Sequence, residues 1–183
     1  MDRELIFLVT EANLQKLSTI EREEIKMKKI VRFDVNNKES LATALEIGII
    51  GYGIAGSQVG RSTSLWLYLN DNTVLRVQAV VTCVDSWHEV GTLVFRYLTK
   101  HSDDLPKMVP VATQWSDIDF IEKLTLEEDM FWAESGLAIH NKLGEIMLIM
   151  PGAFPHTVEI SAPFFAGDFC PEYELNCYER TRI

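Results

Sequence analysis

Cysteine is scarce, basic residues are outnumbered, and no apolar run is long enough to cross a bilayer. The three cysteines, Cys83, Cys170 and Cys177, make no dense even-numbered framework, which excludes a disulfide-stapled scaffold and reads as free thiols in an intracellular chain, with room for one bridge at most. Seventeen Lys and Arg stand against 27 Asp and Glu, a formal charge of −10. That balance opposes binding to nucleic acid or to an anionic membrane, where affinity comes from neutralising negative charge with Lys and Arg. The longest membrane-like stretch, Ala44 to Gly56, contains Glu46 and four glycines and falls short of the roughly 20 apolar residues of a spanning helix. The run Leu5 to Val9 is too short for a signal-peptide core, so a cytoplasmic location is expected.

Catalytic signatures are missing too. His88, His101, His140 and His156 are scattered singly and Cys170-x6-Cys177 matches no standard zinc pair, so no metal is expected. No serine sits in Gly-x-Ser-x-Gly, the Walker pattern is absent, and Cys83 lies in an apolar strand where a thiol is normally inert. No catalytic residue and no cofactor are therefore assigned.

What is present is length enough for one domain, 183 residues with 47% hydrophobic side chains, able to bury a sizeable core. A single domain over 1–183 is expected; the string MKKIVRFDV from Met27 looks like an ordinary open-reading-frame start, so an alternative is that residues 1–26 are an N-terminal extension. A strand is predicted near residues 4–10 and a charged helix over 13–29, followed by a strand at 30–35 and a helix at 38–46. Leu65, Leu67 and Leu69 alternate with Trp66 and Tyr68, Asn70-Asp71-Asn72 supplies a turn, and Leu75, Val77, Ala79 and Val81 alternate on the return, so a hairpin is expected. A second hairpin runs over 137–140 and 145–150, with a further strand at 157–161. Between the hairpins, Ser116-x-x-Asp119 and Thr125-x-x-Glu128 resemble capping boxes and predict two short helices before Gly136. Residues 163–183 read as a loop-rich tail packed on the body. Together these elements predict an α+β fold, a largely antiparallel sheet built from hairpins with short helices packed on one face.

The sharpest motif is Gly51-x-Gly53-x-x-Gly56 after the apolar run Ile47 to Ile50, the order a dinucleotide-binding turn requires. The following segment, however, alternates like a strand and lacks the amphipathic helix. Asp85 lies well beyond the roughly 20 residues at which the ribose-binding acid is expected. A glycine-rich connection feeding a β-hairpin explains the same residues.

Two other clusters stand out. Asp85-Ser86-Trp87-His88-Glu89 gathers two acids, a histidine and an indole after an apolar strand, a pattern fit for a binding edge or for a turn whose polar groups cap backbone. From Ser116 to Glu134 there are seven acids (Asp117, Asp119, Glu122, Glu127, Glu128, Asp129, Glu134) against Lys123 alone. Asp168, Glu172, Glu174 and Glu179 form a second acidic group. If the two groups share a face, they would steer a basic protein, with Phe131, Trp132 and Tyr173 as aromatic anchors; solubility and helix-dipole pairing are the competing explanation.

The expectation is a non-enzymatic acidic binding protein recognising a basic protein partner, of the neutraliser kind (immunity or antitoxin-like), through Glu127, Glu128, Asp129, Trp132, Asp85, Trp87, His88 and Glu89. The alternatives are a nucleotide-binding enzyme or sensor using the Gly51–Gly56 loop, and a carrier of a small apolar ligand held on the strand faces around Trp66, Tyr68 and Trp87.

Overall fold

A computed structural model describes residues 28–35, 41–55, 62–99 and 105–183. The expected strand at 4–10, most of the helix at 13–29 and the extension at 1–26 lie outside them. The described chain is mostly β, and the α+β expectation is overturned. Among the described residues there is one α-helix, α1 (Leu41–Glu46), and two short 3-10 turns, while strands build two six-stranded sheets.

The first sheet is ordered β11 (Val158–Ser161), β10 (Ile146–Pro151), β9 (Phe131–Asn141), β8 (Ile118–Glu127), β12 (Tyr178–Arg182), with β1 (Lys29–Val31) running parallel to the start of β9. The second is ordered β2 (Asp34–Val35), β6 (Glu89–Thr99), β5 (Thr73–Cys83), β4 (Ser64–Leu69), β3 (Ile49–Ala55), β7 (Val109–Pro110). Apart from β1 and β2, all pairings are antiparallel. Both predicted hairpins are present as β4–β5 and β9–β10, and β11 pairs with β10. The two helices expected over 116–136 are instead the hairpin β8–β9. The tail also ends in a strand, because β12 pairs with β8 from Tyr178↔Leu126 to Arg182↔Glu122.

The period-2 alternation of each strand turns one apolar face inward, and the two faces close on a shared core. Leu65, Leu67 and Leu69 of β4, Leu75 and Val77 of β5, and Leu93 and Phe95 of β6 meet Leu137 and Ile139 of β9 and Met147 and Ile149 of β10 in one cluster. Leu41 and Leu45 of α1, spaced by one helical turn, and Trp115 plug its margin. Each fully buried Leu, Ile or Phe is worth about 1.5–3 kcal/mol. β4 is buried on its other face as well, where Trp66 and Tyr68 lie with Leu105 and Met108.

One buried glutamate ties the layers together, through its carboxylate and its backbone carbonyl. Glu134, 6% exposed, sits where a β-bulge shifts the register between Leu124 and Thr125. Its carboxylate lies 2.6 Å from the Lys123 ammonium of β8 and accepts the Phe33 N–H at 2.9 Å, between β1 and β2. Its backbone carbonyl accepts the Thr92 hydroxyl of β6, in the opposite sheet, at 2.5 Å. Removing one partner of a buried ion pair strands the other, whereas replacing both by apolar or neutral groups is tolerated. Glu134→Ala is therefore expected to cost about 2–4 kcal/mol in urea unfolding. The double variant Glu134→Gln with Lys123→Met keeps an acceptor for Phe33 and removes the stranded cation, so it should lie within about 1 kcal/mol of the parent. A double variant as damaged as the single one would show that the pair is not what holds this junction.

Candidate functional site

At one end of the sandwich three connections lie side by side: the β5–β6 turn at 84–88, the β8–β9 turn at 128–130, and the C-terminal segment at 169–177. They meet because Lys29 of β1 bridges two of them. Its backbone N–H donates to the Met130 carbonyl at 2.9 Å, and its ammonium donates to the Cys83 carbonyl. The C-terminal segment is pinned in turn by Glu172, whose carboxylate accepts the Gly91 N–H of β6 at 2.8 Å. Burial raises the Glu172 pKa, the Gly91 hydrogen bond opposes this, and the charge of Glu89 adds to the rise.

The β5–β6 turn is organised by one side chain. Asp85 Oδ1 accepts the N–H groups of Trp87 at 2.6 Å and His88 at 2.8 Å, and its Oδ2 lies 3.0 Å from His88 Nδ1. This clamp is the Asx-type arrangement by which an aspartate replaces missing backbone pairing in a turn. The hydrogen bond from the Trp87 backbone, followed by those from His88, holds the Asp85 carboxyl down from 3.8 to about 2. With the backbone fixed, the indole of Trp87 projects into solvent at 89% exposure, the highest of the large hydrophobic side chains among the described residues.

Beside the turn runs a groove of about 330 Å3 lined by His88, Glu128, Asp129, Met130, Phe131 and Tyr173. Phe131 is buried and Met130 half-buried. Burial, then the charges of Glu172 and Glu128, raise the pKa of Tyr173. Glu127, at the end of β8, is occupied by the Lys28 ammonium at 2.6 Å. Glu128 and Asp129 have no ion-pair partner among the described residues.

The residues singled out from sequence thus divide. Asp85, Trp87, His88, Glu127, Glu128 and Asp129 come to one end of the molecule. Glu89, opposite Cys83 in the β5–β6 ladder, borders a smaller cleft with Glu172 and His156. Trp132 faces away, with the Arg32 guanidinium 5.6 Å above its ring. Gly51 and Gly53 lie inside β3, paired with β4, and β4 stands where a dinucleotide turn would require a helix. A Cβ on Gly51 would meet the Met108 side chain at 2.5 Å and one on Gly53 would meet Pro106 at 2.6 Å, so these glycines admit the 105–110 segment over the strand. Gly56 lies outside the described residues. Trp66 and Tyr68, 7% and 4% exposed, face that same segment, and Tyr68 donates to the Pro106 carbonyl. The acidic stretch is largely neutralised internally, since Asp117 pairs with Lys142, Glu122 with His140 and Arg180, and Glu134 with Lys123.

Met130 and the bridging pair Lys28 and Lys29 were not legible as site residues; the lysines sit in a charged run that resembles a solvated helix face, and only the register of β1 on β9 assigns them. No group of three or more His, Cys, Asp or Glu able to hold a metal ion occurs among the described residues. No described helix is long and apolar enough to cross a membrane. Compared with known proteins, the chain matches no family, no curated protein and no solved structure.

The Asp85 clamp has a defined pH window. Because its carboxyl is held below the ordinary 3.8, the clamp is complete above that pH and is lost as pH falls through about 2. Carboxyl carbon NMR should give a midpoint near 2, with the Trp87 and His88 amide shifts moving together in that range. A midpoint near 4 with static amides would mean that the carboxylate does not organise the turn.

Proposed function

We propose that the chain is a binding protein whose turn-bearing end recognises a basic protein partner, without catalysis of its own. The single observation that carries this is Trp87, 89% exposed on a turn locked by Asp85, beside the carboxylates of Glu128 and Asp129, which have no ion-pair partner among the described residues. A single exposed indole is not unusual in itself, but this one stands on a backbone already fixed by the Asp85 carboxylate. Tryptophan is also among the residues on which binding energy concentrates, at little conformational cost when its backbone is already fixed. Carboxylates at the margin of such an anchor favour a cationic partner and speed its approach, an effect that salt screens. The wider notion that binding neutralises a harmful basic protein rests on the chain's charge of −10 and on its lack of catalytic motifs.

The test is capture of partners from host lysate followed by kinetics on the purified pair. Trp87→Ala should weaken binding about 10- to 100-fold, mainly through faster dissociation. Glu128→Gln with Asp129→Asn should slow association several-fold and flatten its salt dependence while the fold is unchanged. A basic partner held equally by the parent and by both variants would place the interface elsewhere.

A further inference from the structure

We infer that the groove beside Trp87 is the seat of an arginine side chain of the basic partner, its guanidinium on the carboxylates of Glu128 and Asp129 and its stem along Met130. This rests on the proposed binding function and names the chemistry that one part of the interface takes.

The rim of this end already holds cations, since the chain's own Lys28 ammonium sits on Glu127 at 2.6 Å and Lys29 on the Cys83 carbonyl. The next two carboxylates along the same turn, Glu128 and Asp129, line the groove without a cation among the described residues. The groove is not purely acidic. Tyr173 and His88 bring planar rings, and the half-buried Met130 brings apolar surface, while Phe131 beside it is buried in the core. About 330 Å3 is more space than a single ammonium needs and suits a long side chain.

Those features separate arginine from lysine. A guanidinium is planar and weakly hydrated, stacks on rings and presents a fork to carboxylates, whereas an ammonium is a compact, strongly hydrated point charge that loses more on leaving water. The phenol of Tyr173 is neutral at neutral pH, so it adds no competing negative charge and offers a ring and a hydroxyl.

The experiment is an NMR titration of the full chain with three acetylated, amidated pentapeptides, Ala-Ala-X-Ala-Ala, in which X is arginine, lysine or citrulline. The arginine peptide is expected to shift the signals of residues 88, 128–131 and 173, to bind at least about threefold tighter than the lysine peptide and at least about tenfold tighter than uncharged citrulline. Glu128→Gln with Asp129→Asn should remove most of that binding, and Tyr173→Ala should erase the preference for arginine over lysine. Equal affinity for arginine and lysine overturns the guanidinium assignment, and citrulline binding as well as arginine overturns the role of the carboxylates. A groove silent to all three peptides overturns the inference altogether. In that case capture of a basic protein that still depends on Trp87 leaves the proposed function standing, whereas loss of both removes the two together.

Discussion

Glu134 is the residue on which the arrangement of the turn-bearing end depends. Its carboxylate neutralises Lys123 and receives the Phe33 N–H, and its carbonyl receives the Thr92 hydroxyl from the facing sheet. One position on β9 thereby fixes β8, the β1–β2 segment and β6 relative to one another. The geometry of the turns follows. With β6 held against β9 at Thr92, the turn preceding β6 and the turn preceding β9 must emerge at the same end. With β1 held beside β9, Lys29 reaches both. A charge this deeply buried survives because each carboxylate oxygen accepts a hydrogen bond, Oε1 from the Lys123 ammonium and Oε2 from the Phe33 N–H.

The distribution of charge makes the same point at the surface. A net charge of −10 suggests a uniformly acidic molecule, yet most of the acids of 117–134 are matched within the fold. On the outer face of the first sheet, Glu122 lies 2.8 Å from His140, whose ring stacks on Phe120 at 4.0 Å, and the Arg182 guanidinium lies 4.5 Å over Phe120. Those contacts, with Arg180 beside Glu122, put mixed charge on the edge strand β12, a common device against unwanted strand pairing. Of the three acids of this stretch with no ion pair among the described residues, Asp119 lies on β8, and Glu128 and Asp129 lie at the β8–β9 turn, beside the turn that carries the exposed indole.

How much of this could be read in the sequence depended on whether periodicity was left undisturbed. β4–β5 and β9–β10 were legible because alternation runs unbroken up to a turn rich in Asn, Asp or Gly. β8 was misread as helical because Ile118, Ile121 and Leu124 fall at helical spacing and two capping-box patterns coincide with it. The register shift between Ile118 and Phe120, which inserts Asp119 into β8, breaks the two-residue period that would have revealed the strand. β3 was obscured by Gly51 and Gly53, which suggest a loop until the 105–110 segment packed over them is seen. Of the site, the 85–89 and 127–129 clusters and Tyr173 were visible as isolated groups. Their convergence was not, because it is set by the packing of β6 on β9, some 40 residues apart and without a local signature.

Hydrogen exchange on the complex with a captured basic partner tests the central claim most directly, since it reports the whole surface at once. Slower exchange at 84–88, 128–131 and 170–177 together, with the outer face of the first sheet unchanged, is the predicted result. Protection centred on β12 and the Phe120–His140 face, with those three connections unaffected, would contradict it.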